Sequence, residues 1–354
     1  MSKPWIFMGV DRSHFSAKLR PALRYKQLHC LEYPPDMAEI VRRTGVGFVP
    51  VVITPEGEML QDTTDIIDAV ERRVPEPPLL PADPLQRVLC RIFELYADEF
   101  FPMVSMRTRW AYPETERELR RAFAAFSGAP EAGDRVADRM SSMLPALGID
   151  AATIPAIDAH TDDFLNALDT HLAAHPFVFG GRLSLADCAL MGPLYAHLYL
   201  DRVTRARLYE QFIQVCIWIE RCNRPVPETM GEGFAGELPG TLRALLELIG
   251  HDAVPMLLAL EAAFLDGARP EPGADVPRAT GRYTVTLRGA STQAAVRSYV
   301  VWKLQRVREA FAALPPADQR AVEGALAGTG CEALLRAPAA AIRLEKRGFK
   351  LVYA

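Results

Sequence analysis

The sequence holds few cysteines and histidines, no excess of basic residues and no long apolar run. Its six cysteines and seven histidines, among 354 residues, show neither a C-x-x-C pair nor zinc-ligand spacing, which argues against a metal site. With 40 Lys+Arg against 44 Asp+Glu, a net charge of −4 offers no basic surface for nucleic acid. Apolar stretches stay far below the ~20 residues of a membrane span, and the first residues lack a signal peptide. We therefore predict a cytoplasmic protein with no metal, nucleic-acid or membrane partner.

One pair of histidines leaves two interpretations open. His171 and His175 stand four residues apart and could share a helix face, as metal ligands do. No Glu or Cys partner accompanies them, so a helix end at the surface is the favoured interpretation.

The first 80 residues alternate between strand and helix patterns. Short apolar runs at 5–10 and 28–33 predict strands, and a helical stripe lies between them. A helix ending at Gly45 follows, and apolar runs at 48–54 and 59–60 flank a turn sequence, which predicts a hairpin. A last helix over Ile66–Val70 gives the order β-α-β-α-β-β-α.

The rest of the chain divides at two boundaries rich in proline or glycine. Five prolines in residues 75–84 exclude a helix or central strand and mark a linker. Residues 85–230 show helical periodicity, and glycine and proline cluster again between 225 and 240. Residues 231–354 form an extension with helices predicted near 241–265 and 292–313. Its two alternating segments, 283–287 and 349–353, are expected to pair with each other, since a lone strand leaves backbone groups unsatisfied.

Three short segments of the first domain carry candidate chemistry. Ser13 lies where a strand turns into a helix, so its hydroxyl either caps the helix or donates a hydrogen bond to an anion such as a thiolate. Pro50 either begins an edge strand or follows a cis bond that turns the backbone of Val49 towards an extended ligand. Asp62 and Thr63 begin a helix, and either cap it or hold the ammonium and carboxylate of an amino-acid head.

Taken together, these segments resemble the glutathione transferase family. Residues 13–20, SHFSAKLR, are similar to the S-P-F-S-x-x-V-R stretch of the serine-type tau and zeta classes, and FVPV with LQDTTDII is similar to V-P-x-L…L-x-E-S-x-A-I. GRLSLAD at 181–187 and the helix ending WIERCNRP at 218–225 resemble motifs of the second domain. The resemblance covers residues 1 to about 225. It implies an α+β protein: a thioredoxin-like domain (1–80), an all-α domain (85–230) and a mainly helical extension (231–354).

The resemblance also implies roles for individual residues. Ser13 would stabilise the thiolate of glutathione as co-substrate, and Val49 would pair its backbone with the cysteinyl residue beside a cis Pro50. Asp62 and Thr63 would hold the γ-glutamyl amine and carboxylate. Ser184 and Asp187 would form a capping box and be structural.

Other roles are less fixed by the motifs. Arg43, or its neighbour Arg42, would meet the glycine carboxylate. Met106 and Trp110 would line the pocket for the electrophile, although a cluster of Met and aromatic residues more often belongs to plain core. A possible homodimer would form by the first domain packing on the second, a surface that the extension could cover.

The sequence departs from the family pattern in ways that keep two functions open. His14 replaces a proline, Asp62 replaces a glutamate, and no cysteine stands at position 13, which disfavours the disulfide-reducing classes. The first hypothesis is a transferase that activates the glutathione thiolate at Ser13 for attack on an apolar electrophile. The second is a non-catalytic protein in which the same fold serves as a binding or scaffold module.

Overall fold

The computed structural model describes residues 3–234, 237–267, 271–339 and 341–354. Its first domain has the predicted β-α-β-α-β-β-α order, which confirms a thioredoxin-like arrangement. The elements are β1 (Trp5–Met8), α1 (His14–Tyr25), β2 (Cys30–Tyr33), α2 (Met37–Thr44), β3 (Val51–Ile53), β4 (Met59–Gln61) and α3 (Thr63–Arg73).

The four strands form one mixed sheet in the order β2-β1-β3-β4. β1 runs parallel to β2 and antiparallel to β3, which is antiparallel to β4. In this register Met8 lies opposite Val51, and Val51 lies opposite Gln61. The end of β1, the start of β3 and the end of β4 therefore meet at one edge of the sheet.

The second region is entirely helical, as predicted. Its first helix is capped by Asp83, whose side chain accepts from the amide of Gln86 at 2.8 Å, while Pro84 takes the first helical position. Short π-helical turns follow α4 and α9, at Tyr96–Phe100 and Leu194–Tyr199. The helices are α4 (Pro84–Leu95), α5 (Phe101–Trp110), α6 (Pro113–Ser127), α7 (Pro130–Ser141), α8 (Ile154–Ala174), α9 (Leu185–Pro193), α10 (Arg202–Gln211) and α11 (Ile213–Asn223).

The extension is mainly helical and carries two separate β-hairpins. α12 and α13 are joined by a π-helical turn, Ile249–Ala253, into one continuous helix. The elements are α12 (Gly240–Leu248), α13 (Val254–Leu265), β5 (Ala279–Leu287), β6 (Ala290–Arg297), α14 (Ser298–Ala312), α15 (Pro316–Leu326), β7 (Leu344–Arg347) and β8 (Lys350–Tyr353).

Two predictions for the extension were wrong. The segment 283–287 does not pair with 349–353, because each strand has a local partner: β5 pairs with β6 and β7 with β8. The predicted helix over 292–313 begins only at Ser298, since the residues before it belong to β6.

The extension packs directly on the two preceding regions. α14 and α15 lie on α4, and a buried apolar cluster continues from Trp5 and Phe7 through α4 to Trp302 and Tyr353. The helix Gly240–Leu265 is apolar and long enough to cross a membrane by length and composition, but 56% of its most apolar window is buried inside the protein. A core helix of a soluble protein meets the same criterion.

The histidine pair lies at the end of α8, but not at the surface. His171 is fully buried, and its two ring nitrogens lie 2.8 Å from the Thr241 hydroxyl and 3.0 Å from the Val178 carbonyl oxygen. The expectation of an exposed helix end was therefore wrong for His171. Among the described residues, no group of three or more His, Cys, Asp or Glu side chains could hold a metal ion.

Candidate functional site

Three loops converge at the sheet edge where β1 and β4 end and β3 begins. Their order along the chain is Ser13 after β1, Val49 and Pro50 before β3, and Asp62 and Thr63 after β4. The strand register brings these loops together, although up to 50 residues separate them in sequence. The candidate site predicted from the sequence is thus assembled at one place in the fold.

Ser13 is the N-cap of α1 and is half-buried. Its Oγ accepts a hydrogen bond from the amide of Ser16 at 3.3 Å. That bond uses an oxygen lone pair and leaves the hydroxyl hydrogen for an acceptor in front of the helix. The loop is held by Ser16, whose buried Oγ accepts from the amide of Val10 at 3.1 Å. Ser13 can therefore cap the helix and donate to an anion at the same time.

The bond between Val49 and Pro50 is cis, as the resemblance implied. The preceding loop is tied to β4, because the side-chain amide of Gln61 donates to the Phe48 carbonyl at 2.8 Å. The Phe48 ring is 43% exposed and lies under the guanidinium of Arg278, which is 3.7 Å from the ring centroid. A residue of the extension therefore reaches this side of the site.

Asp62 adopts a backbone conformation that is unusual for a residue with a side chain. Its φ is +78°, in the region that favours glycine. One carboxylate oxygen accepts from the amides of Thr64 at 2.9 Å and Asp65 at 3.4 Å, which caps α3. Thr63 is the first helical residue and is 4% exposed. Strain of this kind, held by the surrounding structure, is typical of functional sites.

The second carboxylate oxygen of Asp62 is contacted by the C-terminal hairpin. The ammonium of Lys346, on β7, lies 3.1 Å from Asp62 Oδ2 and 2.7 Å from Asp65 Oδ2. Burial tends to raise the pKa of Asp62, but the ammonium groups of Lys346 and Lys303 outweigh it and lower that pKa. Burial and the Asp62 charge raise the pKa of Tyr299, so its hydroxyl keeps a proton to donate.

The sequence analysis did not connect these residues of the extension with the site. Lys346 and Tyr299 follow the first-domain motifs by more than 200 residues, and no local pattern marks either as a partner of Asp62. The alternating segment predicted at 349–353 begins after Lys346, and the strand that carries Lys346, β7, was not predicted.

The remaining predicted residues lie outside the three loops, on α2 and α5. Arg43 donates to the Gly57 carbonyl at 2.8 Å, and Arg42 pairs with Glu39 at 2.7 Å. Met106 is 7% exposed and belongs to the apolar core, as the alternative interpretation proposed, and Trp110 is half-buried against that core. The substrate-pocket assignment therefore gains no support from their placement.

A buried network of charges lies beneath α3 and joins it to α4 and the extension. Lys303 of α14 is 4% exposed on its side chain, donates to the Thr64 hydroxyl and lies 2.7 Å from Asp98 Oδ2 and 3.5 Å from Glu94 Oε1. Burial tends to raise the pKa of Glu94, but Lys18, Lys303 and Arg91 hold it well below its usual value. The buried ion pairs that support the start of α3 therefore include a residue of the extension.

Comparison with protein families identifies both regions. Residues 7–78 match the model of the glutathione S-transferase N-terminal domain, and residues 151–196 match that of the C-terminal domain. The extension lies outside both matches. A search of curated proteins found no significant match.

Solved structures with a similar fold include several bacterial proteins. A glutathione S-transferase from Rhodospirillum rubrum is 19% identical, with 62% of this chain and 90% of that one covered and a TM-score of 0.42. FzlA from C. crescentus is 22% identical, with coverages of 63% and 91% and a TM-score of 0.44. The β-etherase LigF from Sphingobium is 19% identical, with coverages of 64% and 98% and a TM-score of 0.44. Likeness at this level says nothing about activity.

Proposed function

The chain belongs to the glutathione S-transferase family through the domains at 7–78 and 151–196, and from this premise we propose that it binds glutathione and activates its thiol at Ser13. The observation that carries the proposal is the N-terminal end of α1. There the Ser13 hydroxyl accepts from its own helix and keeps a hydrogen to donate to a sulfur anion.

The proposed chemistry follows from stabilising that anion. A hydrogen-bond donor and the positive end of a helix dipole both lower the pKa of a bound thiol, so more of it is ionised at neutral pH. The thiolate sulfur then forms a bond to an electrophilic carbon of an apolar small molecule. The electron pair displaced from that carbon leaves with the departing group, or is protonated by water when the reaction is an addition.

Contacts with the other parts of the tripeptide stay part of the proposal. Val49 would offer its backbone to the cysteinyl residue, and Thr63, at the start of α3, would donate to the γ-glutamyl carboxylate. Asp62 would hold the γ-glutamyl amine. A possible homodimer and a cytoplasmic location also remain proposals.

The test of Ser13 is a comparison of two substitutions in a thiol-conjugation assay. We expect Ser13→Ala to lower kcat/KM by about 100-fold or more, because loss of a donor to an anion commonly costs about 2.7–4 kcal/mol. Ser13→Thr keeps both the cap and the donor and should retain most of the activity. Equal activity of Ser13→Ala and the parent would remove Ser13 from this role and direct attention to Ser16 or a backbone amide.

One observation favours a second function. The extension contacts Asp62 through Lys346. Such a contact is expected of a non-catalytic protein in which the chain's own residues occupy the former ligand site. A thermal-shift titration with millimolar glutathione separates the two functions. If neither the parent nor a variant lacking the Lys346 ammonium is stabilised, only the binding or scaffold function remains.

A further inference from the structure

The C-terminal hairpin places a primary ammonium group where the proposed function requires the ligand to place its own. Lys346 Nζ lies 3.1 Å from Asp62 Oδ2 and 2.7 Å from Asp65 Oδ2. The γ-glutamyl group of glutathione carries the same chemical group, and Asp62 is its proposed partner. Two ammonium groups cannot share this position without strong repulsion at contact distance.

The carboxylate of Asp62 has little capacity left for another donor. Its Oδ1 accepts from the amides of Thr64 and Asp65, and its Oδ2 faces Lys346 while the Tyr299 hydroxyl lies close by. A ligand ammonium would therefore have to replace Lys346 and could not simply be added.

The side chain of Lys346 is held on its other sides by aromatic rings. Its Nζ lies 4.7 Å from the centroid of Trp302 and 5.1 Å from that of Tyr299, both within the range of a cation–π interaction. The side chain is only 12% exposed. The Lys346 side chain is thus held against Asp62 by its surroundings, unlike a lysine that is free at the surface.

The backbone of the hairpin is fixed independently of this contact. The side chain of Gln305 bonds both the carbonyl and the amide of Leu344, at 3.0 and 2.9 Å. On the other strand the amide of Val276 donates to Leu351 at 2.9 Å. Release of Asp62 therefore requires the Lys346 side chain to turn away from its carboxylate and aromatic partners, with the hairpin left in place.

We propose that Lys346 is an intramolecular competitor for the ammonium group of the ligand, and this inference rests on the proposed binding of glutathione. Lys346 then determines which ligands the site binds tightly. Glutathione must displace it, whereas a tripeptide that lacks the γ-glutamyl amine leaves it in place. If Lys346 releases Asp62 in about one molecule in ten, the apparent Kd for glutathione is raised about tenfold.

The experiment is a calorimetric titration of the full chain with two ligands, glutathione and its des-amino analogue. Lys346→Met keeps the apolar stem against Trp302 and removes only the charge. We expect it to bind glutathione about tenfold more tightly than the parent, and the analogue no more tightly than the parent does. Lys350→Met is the matched control, because Lys350 lies on the same hairpin and pairs with Asp275 at the surface. It should bind both ligands as the parent does.

A second measurement uses the parent alone and does not depend on a variant folding. With an amine-acylating reagent in excess, glutathione should raise the acylation rate at Lys346 and leave that at Lys350 unchanged. The des-amino analogue should change neither rate.

The two ways of failing are distinct. If the parent and Lys346→Met bind glutathione equally, and glutathione does not expose Lys346 to acylation, the competition is overturned while glutathione binding stands. If neither protein binds glutathione at millimolar concentration, the proposed function fails and the inference fails with it.

Discussion

The buried carboxylate of Asp187 accepts hydrogen bonds from several parts of the second region. It is fully buried and accepts four hydrogen bonds: from the amides of Val178 and Ser184 at 2.9 Å, the Ser184 hydroxyl at 2.8 Å and the Trp218 indole at 2.9 Å. The bonds join the start of α9 to the loop before it and to α11. The capping box predicted from the sequence is confirmed, and its partners extend beyond the box.

We expect Asp187→Ala to lower the free energy of unfolding by about 3 kcal/mol or more, because several buried donors lose their acceptor at once. The measurement is urea unfolding followed by circular dichroism. Asp83→Ala is the control, since Asp83 caps α4 with a single bond to the amide of Gln86, and loss of such a cap costs about 1 kcal/mol. Equal losses in the two variants would contradict this account of Asp187.

At the scale of residues, local motifs could be read from sequence and distant partners could not. Ser13 at the helix start, the cis bond before Pro50 and the helix start at Thr63 all belong to short motifs of the first domain. Lys346 could not be assigned, because its contact with Asp62 depends on how two separate parts of the chain dock. Arg43 lies on α2 and donates to the Gly57 carbonyl, and its contact with a glycine carboxylate stays a prediction.

At the scale of elements, the strand pairing of the extension was decided by its turns. Arg288 and Gly289 both have positive φ, at 48° and 82°, which suits a tight two-residue hairpin turn between β5 and β6. Gly348, with φ of 62°, lies in the corresponding turn between β7 and β8. The sequence analysis found β5 and β8 by their alternation but overlooked the turns. It therefore paired two strands that each had a closer partner.

The buried ion pairs of Lys303 on α14 allow a test of how much such pairs contribute to stability. Lys303 is the only residue of α14 that we find contacting Glu94, Asp98 and Thr64 together within the described part of the chain. We expect Lys303→Met to lower the free energy of unfolding by about 3–5 kcal/mol, because it leaves buried carboxylates without one of their cations. The measurement is the denaturant midpoint with an unchanged slope.

A surface lysine provides the comparison for Lys303. The pair of Lys350 with Asp275 is exposed on both sides, at 58% and 62%, so Lys350→Met should change stability by about 0.5 kcal/mol or less. If Lys303→Met is no more costly than Lys350→Met, the buried network does not hold α14 in place.

At the scale of the whole molecule, the extension supplies cations that pair with carboxylates of the two regions on which it packs. The carboxylates come from α3, α4 and the π-helical turn after α4, and the extension supplies cations that face them. These pairs are Lys346 with Asp62 and Asp65, Arg306 with Asp68, Lys303 with Glu94 and Asp98, and Arg297 with Glu99. A net charge of −4 conceals this division, so composition could not have revealed it.

The same docking bears on assembly. Because the extension lies on α3 of the first domain and on α4 of the second region, a homodimer that packs one copy's first domain on the other's second domain must use other faces.

The order of the domains and their secondary structure could be predicted from local patterns. The docking of the extension could not, since it depends on side chains far apart in sequence that meet only in the folded chain.

His171 gives a pH-dependent test of the contact between α8 and α12. Burial, opposed by the Val178 carbonyl and assisted by His175, lowers the pKa of His171 to about 4. A lowered histidine pKa means that the unfolded chain binds the proton first, so the stability that neutral His171 provides is present above pH 6.5. It is lost as the pH falls from 6.5 towards 4.

We expect the parent to lose about 2 kcal/mol more than His171→Gln between pH 7.5 and pH 5, because only the parent takes up this proton on unfolding. The difference between the two proteins is the proper measurement, since other groups also titrate. Glu99 is one of them: burial, opposed by Arg297, raises its pKa to about 7, which favours the folded state as the pH falls. Urea unfolding of both proteins at the two pH values cancels such shared contributions. A difference that stays constant with pH would show that the folded chain binds the His171 proton as readily as the unfolded chain does, and that its two hydrogen bonds do not depend on a neutral ring.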